Sequence, residues 1–293
     1  MWWFWPLILL VVSLAIGFIS PISGLGGGVL FTSILSAFFP FSIDFIRGTG
    51  LVVPLTTALS SAPYLTRKGM ANLKIAAPLA VVSLIFSVFG SVSGLYISDY
   101  IPEGKYYIRL ALGLIIFVIF LVMVTSERVE FPEVDHVDIL SRKLGLEGCY
   151  YESNLGRVVE YKATNLFRAI PAFAAVGFIA GMFGLGAGWA NVPVLNLIMG
   201  LPIKVATSTS MVIITLNDSA AVWVYLSRGA ILPLLTLPSI VGITVGARIG
   251  ARVAVRAKPK FVKYVVMGIL LFAAISTILK GVSGLGWVGG LHG

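Results

Sequence analysis

Residues 17–28 read Gly17-Phe18-Ile19-Ser20-Pro21-Ile22-Ser23-Gly24-Leu25-Gly26-Gly27-Gly28, and residues 177–188 read Gly177-Phe178-Ile179-Ala180-Gly181-Met182-Phe183-Gly184-Leu185-Gly186-Ala187-Gly188. The offset is constant, since 177 − 17, 184 − 24 and 188 − 28 are each 160. It also relates Thr49 to Thr209, Lys68 to Arg228, Gly69 to Gly229 and Pro78 to Pro238. Such internal periodicity is the mark of a duplicated structural plan. Glycines clustered inside an apolar stretch interrupt a helix, so each copy is expected to carry one broken segment.

The solvent of this chain is lipid. Mean hydropathy is +1.00, and charged residues make up 11% of the chain, against about 25% in soluble domains. Apolar runs fall near residues 2–22, 29–39, 48–66, 75–98, 106–125, 169–183, 189–203, 205–227, 231–255 and 264–280. Most approach the ~20 residues that cross a bilayer core as helix. The run at 29–39 rises only about 16 Å at ~1.5 Å per residue, so it either enters halfway or continues a broken neighbour. The run at 189–203 is also short. The expected fold is an all-α integral membrane protein, a polytopic helical bundle of two pseudo-symmetric repeats with about four or five hydrophobic segments each.

The first repeat covers 1–126, a polar linker 127–165, and the second repeat 166–293. Glu127, Glu130, Glu133, Asp135, Asp138, Glu147, Glu152 and Glu160 all fall in or beside that linker, and Val137 to Leu146 could form a short surface helix. Bases gather at Arg67, Lys68 and Lys74 in the first half and at Arg252, Arg256, Lys258, Lys260 and Lys263 in the second. If both groups and the linker are cytoplasmic, the repeats are inverted; merging each short segment into its predecessor gives parallel repeats instead. Met1-Trp2-Trp3-Phe4-Trp5-Pro6 reads as an interfacial anchor of a retained helix. The net charge of +9 is spread over loops and helix ends, which suits a membrane surface and not nucleic acid. Gly242, Gly246 and Gly250, with Gly90 and Gly94, recur at the four-residue spacing of close helix contacts.

Backbone freed at membrane depth has to be buried in protein or line a cavity. If helices begin after Gly24, Gly26, Gly27 and Gly28, and after Gly184, Gly186 and Gly188, their first N–H groups and positive dipole ends favour an anion. Gly48-Thr49-Gly50 and Ser208-Thr209-Ser210 are expected at the start of the third segment of each half, adding hydroxyl and N–H donors. Arg47 adjoins the first triplet, either as an oxyanion ligand or as an interfacial base snorkelling to headgroups. Asp218 is the one acid well inside an apolar run; burying it costs ~3 kcal/mol on insertion scales, so it needs a proton or a partner such as Asn217, Asn191 or Arg248. Its repeat counterpart is Ala58, so proton coupling or cation coordination there would be asymmetric. Asn191, Asn196 and Asn217 offer amides beside these elements.

Catalytic and metal-binding parts are missing from the sequence. His136 and His292 lie outside the apolar runs, there is no His-Glu-x-x-His pair, and Cys149 sits in the linker. No cofactor is expected.

Taken together, Gly24-Leu25-Gly26-Gly27-Gly28, Gly48-Thr49-Gly50 and Lys68-Gly69, and in the second copy Gly184-Leu185-Gly186-Ala187-Gly188, Pro193, Ser208-Thr209-Ser210 and Arg228-Gly229, resemble the paired pattern of the sulfite exporter TauE/SafE family. Ser33 stands where the first copy would carry proline, and Ala187 replaces a glycine. The resemblance implies a multi-pass transporter of the prokaryotic inner membrane that moves a small sulfur-containing anion such as sulfite, a sulfonate or sulfoacetate. Protons are the expected coupling ion through Asp218. A passive anion channel, and a membrane part of a sulfur relay dependent on Cys149, are the alternatives.

Overall fold

The structure is a computed structural model that describes residues 4–23, 26–39, 41–125, 130–132, 134, 136–152, 155–254 and 260–285. Each of the ten apolar runs lies on a helix. They are α1 (Phe4–Ser23), α2 (Gly28–Phe38), α3 (Ile43–Arg67), α4 (Leu73–Tyr100) and α5 (Gly104–Thr125), then α7 (Leu166–Phe183), α8 (Gly188–Pro193), α9 (Ile203–Ser227), α10 (Pro233–Ala254) and α11 (Lys260–Gly284). Among the described residues, seven helices are long and apolar enough to cross a membrane. The 25-residue α3 is as long, but it carries Asp44, Arg47 and Arg67. Leu7, Phe89, Trp223 and Leu237 point outward, while Ser83, Ser87 and Ser91 are buried. This multi-pass protein turns apolar side chains to lipid and small polar ones to its helix contacts.

The two short helices follow the two breaks. α2 begins behind Gly27, whose φ of 85° only glycine adopts freely. α8 is a separate helix that widens into a π-helical turn, Val194–Ile198, directly after Pro193. A proline nitrogen cannot join the ladder, and a wider turn accommodates the gap. The linker forms the short helix α6 (Ile139–Lys143) and a hairpin of β1 (Glu147–Glu152) with β2 (Arg157–Lys162). Sequence reasoning gave the helix but missed the hairpin. Burial alone would raise the Asp138 carboxyl, but hydrogen bonds from Ser141, Asn165 and Thr164 outweigh it and hold the group below the usual carboxylate range.

The hairpin docks on the membrane helices. Asn72, the cap of α4, donates to the Tyr161 hydroxyl (3.1 Å) and the Glu147 carbonyl (3.3 Å), and Lys204 of α9 pairs with Glu152 at 2.5 Å. Thus the end of α3 and the starts of α4, α7 and α9 share the linker side. At the opposite side, Arg47 near the start of α3 meets Tyr225 near the end of α9. α3 and α9 therefore run antiparallel. So do α5 and α11, where Gly113 meets Ile278 and Gly281 meets Leu110. α10 starts where Thr236 meets Thr49 and α4 starts where Asn72 meets Thr209, at opposite faces.

Close packing follows the offset as well. α1 lies along α10 and α4 along α7. A Cβ added at Gly17 would strike Ile243, and one at Gly177 would strike Ser83; Gly250 presses on Phe18 and Gly90 on Phe178. Each residue in one contact is 160 positions from its equivalent in the other. Gly242, Gly246 and Gly250 meet the carbonyls of Leu10, Leu14 and Phe18 in turn. Because those obstacles are backbone, Gly246→Val should cost at least the ~1–3 kcal/mol of an overpacked contact, read as a lower melting temperature in detergent. Gly268→Ala, in α11 with open space around it, should be neutral or raise stability by up to about 1 kcal/mol through helix propensity.

Candidate functional site

The breaks meet at the middles of α3 and α9. A Cβ at Gly26 would lie 2.9 Å from Ile214 Cδ1, and one at Gly186 would lie 2.8 Å from Pro54 Cγ. Pro54 and Ile214 are again a pair at the 160 offset. Gly28 touches both Leu185 and Pro54, so the first and second breaks are in contact with each other. Gly26 and Gly186 have φ of 72° and 66°. Side chains there are strained whatever the space, so loss of function on substituting either glycine would not separate a binding role from a conformational one. Gly24 lies outside the described residues.

The polar atoms of the second break are partly accounted for. The N–H groups of Gly184 and Leu185 turn back to the Ala180 carbonyl at the end of α7. Thr32 of α2 donates to the Gly184 carbonyl at 2.6 Å. Beyond that, α8 starts at Gly188 with no side-chain cap, which leaves first-turn N–H groups outside the helix ladder.

Asp218 faces this place from α9. It is fully buried, and its Oδ2 lies 3.1 Å from the ideal Cβ position at Gly186. Its Oδ1 accepts from Asn217 Nδ2 at 2.6 Å, and Asn217 Oδ1 in turn accepts from Ser83 Oγ of α4 at 2.8 Å. Oδ2 has no partner. Of the three partners the sequence offered, Asn217 is the one bonded to it. Asn191, in the first turn of α8, is also fully buried, with neither amide atom bonded; Ser210 Oγ and Trp189 Nε1 are buried and unpartnered too. All four residues belong to the second half, Trp189 and Asn191 in the first turn of α8 and Ser210 and Asp218 about two turns apart on α9. Buried polar atoms of this kind are costly and concentrate where something binds.

The other predicted residues sit apart. α3 and α9 begin at Ile43 and Ile203, ahead of the apolar runs that start near 48 and 205. Thr49, Ser208, Thr209 and Ser210 therefore lie in the second turn, where backbone N–H groups already belong to the helix, and only hydroxyls remain. Thr49 Oγ1 is 3.5 Å from Thr236 Oγ1 near the start of α10, while Thr209 Oγ1 accepts the Asn72 N–H at 3.1 Å ahead of α4. The two threonines mark opposite halves of the membrane. Arg47 is fully buried and does not snorkel. Its guanidinium pairs with Asp44 and donates to the Met182 carbonyl (2.9 Å), the Gly94 carbonyl (3.3 Å) and Ser98 Oγ (3.2 Å), with its carbon 5.6 Å from the Tyr225 ring centroid. Asp44, Ser83 and Thr32 escaped sequence reasoning. Only Asp44 left a signal there, the three-residue spacing to Arg47 that brings helix side chains together. Cys149 is exposed on β1, in the linker hairpin.

Removing one member of a buried ion pair costs roughly 3–5 kcal/mol. Arg47→Met and Asp44→Asn should each lower the melting temperature sharply. The double variant should be less destabilised than the sum of the two.

A family model described as Sulfite exporter TauE/SafE matches residues 9–277. The chain is 24% identical to a Bacillus subtilis protein named Probable membrane transporter protein YunE, covering 94% of this chain and 98% of that relative. It is 23% identical to Probable membrane transporter protein MJ0441 of Methanocaldococcus jannaschii, over 75% of this chain and 72% of the relative. No solved structure matches it significantly.

Proposed function

The chain belongs to the sulfite exporter TauE/SafE family and is a membrane transport protein rather than an enzyme; on that premise we propose that it carries a small sulfur oxyanion, with sulfite the leading case, together with a proton. The supporting observation is the unpartnered Asp218 Oδ2 set against the second glycine break. A fully buried carboxylate with no base beside it needs either a proton or a positive dipole end turned toward it. Two negative charges cannot share so dry a place. While the site is empty, the Asp218 carboxylate faces the positive start of α8. When an oxyanion enters, a proton on Asp218 removes the repulsion and turns Oδ2 into a hydrogen-bond donor to the cargo. The Asn191 amide and the uncapped N–H groups of α8 supply further donors. Asn217, held by Ser83, fixes the orientation of the carboxyl. Stoichiometry is then one proton per monovalent anion.

For the conformational change, we infer two inverted repeats, residues 1–126 and 166–293, joined by the linker at 127–165. Support comes from the antiparallel course of α3 against α9 and α5 against α11, and from contacts that repeat at the 160 offset. In inverted repeats a site at the midplane is exposed to alternate sides by rocking one unit against the other. Arg47 acts in this scheme as a positioning residue that ties α3 to α4 and α7, and the threonines flank the site from above and below. Arg67, Lys68 and Lys74 lie on the linker side, which makes that side cytoplasmic by the positive-inside tendency.

In proteoliposomes, sulfite flux should saturate with concentration and respond to an imposed pH gradient. Asp218→Asn should retain saturable binding in detergent but lose the response to the gradient. An unchanged response in that variant would overturn the coupling role. Flux in the unsubstituted protein that neither saturates nor follows the gradient would mark a channel. Asn191→Ala should weaken binding about tenfold, the worth of one sheltered hydrogen bond at ~1.4 kcal/mol.

A further inference from the structure

A cavity of about 680 Å³ lies away from the glycine breaks, between the end of α2, the start of α5 and the end of α11. Its two charged lining residues are both bases, Arg109 of α5 and Lys280 of α11. Arg109 donates to the Phe41 carbonyl at 3.0 Å, and its Nε is buried with no partner. Lys280 Nζ donates to the Ser36 and Ala37 carbonyls at 2.9 and 2.8 Å, the negative end of α2. The ion pairs among the described residues are Arg47–Asp44, Lys105–Asp44 and Lys204–Glu152, so neither cavity base has a carboxylate. Two half-sheltered cations in one hollow call for an anion.

The hollow is amphipathic. Phe272, Ile275 and Leu279 line it from α11, and all three are also exposed on the outer surface. Their spacing of three and four puts them on one helix face. In a membrane that face meets acyl chains. Ser276, on the inner flank, adds a hydroxyl beside the bases. Both bases lie near the membrane side opposite the linker, since α5 starts there and α11 runs antiparallel to it. Across the 160 offset Arg109 matches Ile269 and Lys280 matches Phe120. The pair of bases is thus an addition to the duplicated plan and not part of the transport site it generates.

We propose that this cavity binds a phosphate-type oxyanion carried on an apolar tail, the headgroup of an anionic phospholipid. The phosphate sits between Arg109 and Lys280, and its acyl chain lies along Phe272, Ile275 and Leu279. Purified protein would be placed in nanodiscs of phosphatidylcholine, with and without phosphatidylglycerol, and separately given inorganic phosphate. Phosphatidylglycerol should raise the melting temperature and remain bound in native mass spectrometry. Arg109→Gln and Lys280→Gln should each reduce the retained lipid about tenfold, in line with a charge-assisted hydrogen bond. Because Lys280 also caps α2, Arg109→Lys and Lys280→Arg serve as folded controls that keep the charge and should keep the lipid. A shift given equally by inorganic phosphate, with nothing added by phosphatidylglycerol, would reject the lipid as the source. Equal lipid retention by the charge-removing variants, or no shift from either ligand, would reject the site.

Discussion

Peptide groups stranded in hydrocarbon cost several kcal/mol each, and two helix interruptions at the centre of this molecule create that cost twice. The fold answers it by wedging both interruptions between α3 and α9 and against each other. Only glycine permits such an approach, because a Cβ at Gly28 or Gly184 would collide with backbone. Part of the cost is met locally, by the turn of Gly184 and Leu185 onto Ala180 and by the Thr32 hydroxyl. What is left unmet includes Asp218 Oδ2 and both amide atoms of Asn191. In the function proposed above, recognition draws on what this packing problem leaves over once glycine has solved it incompletely.

Much of this was legible in the chain. Ten apolar runs became ten helices because lipid leaves backbone groups no other partner than their own helix. The 160 offset marked the breaks, since glycine clusters at equal spacing have few other causes. Boundaries were less legible: α3 and α9 start earlier than their apolar runs, because each first turn carries a charged residue, Asp44 or Lys204, that interrupts the hydrophobic pattern. That shift places Thr49 and Thr209 inside their helices, while the antiparallel course of α3 and α9 keeps the two apart. The hairpin at β1 and β2 was obscured by its glycines and charges, and its order comes from docking onto Asn72 and Lys204. Asp218 stood out because a carboxylate is rare in such surroundings. The orphaned state of its second oxygen depends on which neighbours α4 and α8 bring, and no single sequence states that.

Symmetry and its violations divide the labour. The contacts of Gly17, Gly177, Gly90 and Gly250 obey the offset, as a frame shared by two repeats would require. Asp218 opposite Ala58, Pro193 opposite Ser33, and Arg109 and Lys280 opposite Ile269 and Phe120 do not. The π-helical turn after Pro193 has no equivalent in α2, which runs unbroken from Gly28 to Phe38. These departures fall on both sides of the linker, Arg109 before it and Asp218, Pro193 and Lys280 after it.

The pairing of α1 with α10 and of α4 with α7 has a consequence for how this molecule comes into being. Residues before the linker and residues after it supply each other's partners at these two pairings, so the glycine faces of α10 and α7 stay unburied until both parts are present. A ribosome that has released α1 to α5 leaves in the bilayer a set of inserted but unmated rods, awaiting partners that are still being translated. On these contacts the α1–α10 and α4–α7 pairings can close only after the second set of helices has been made.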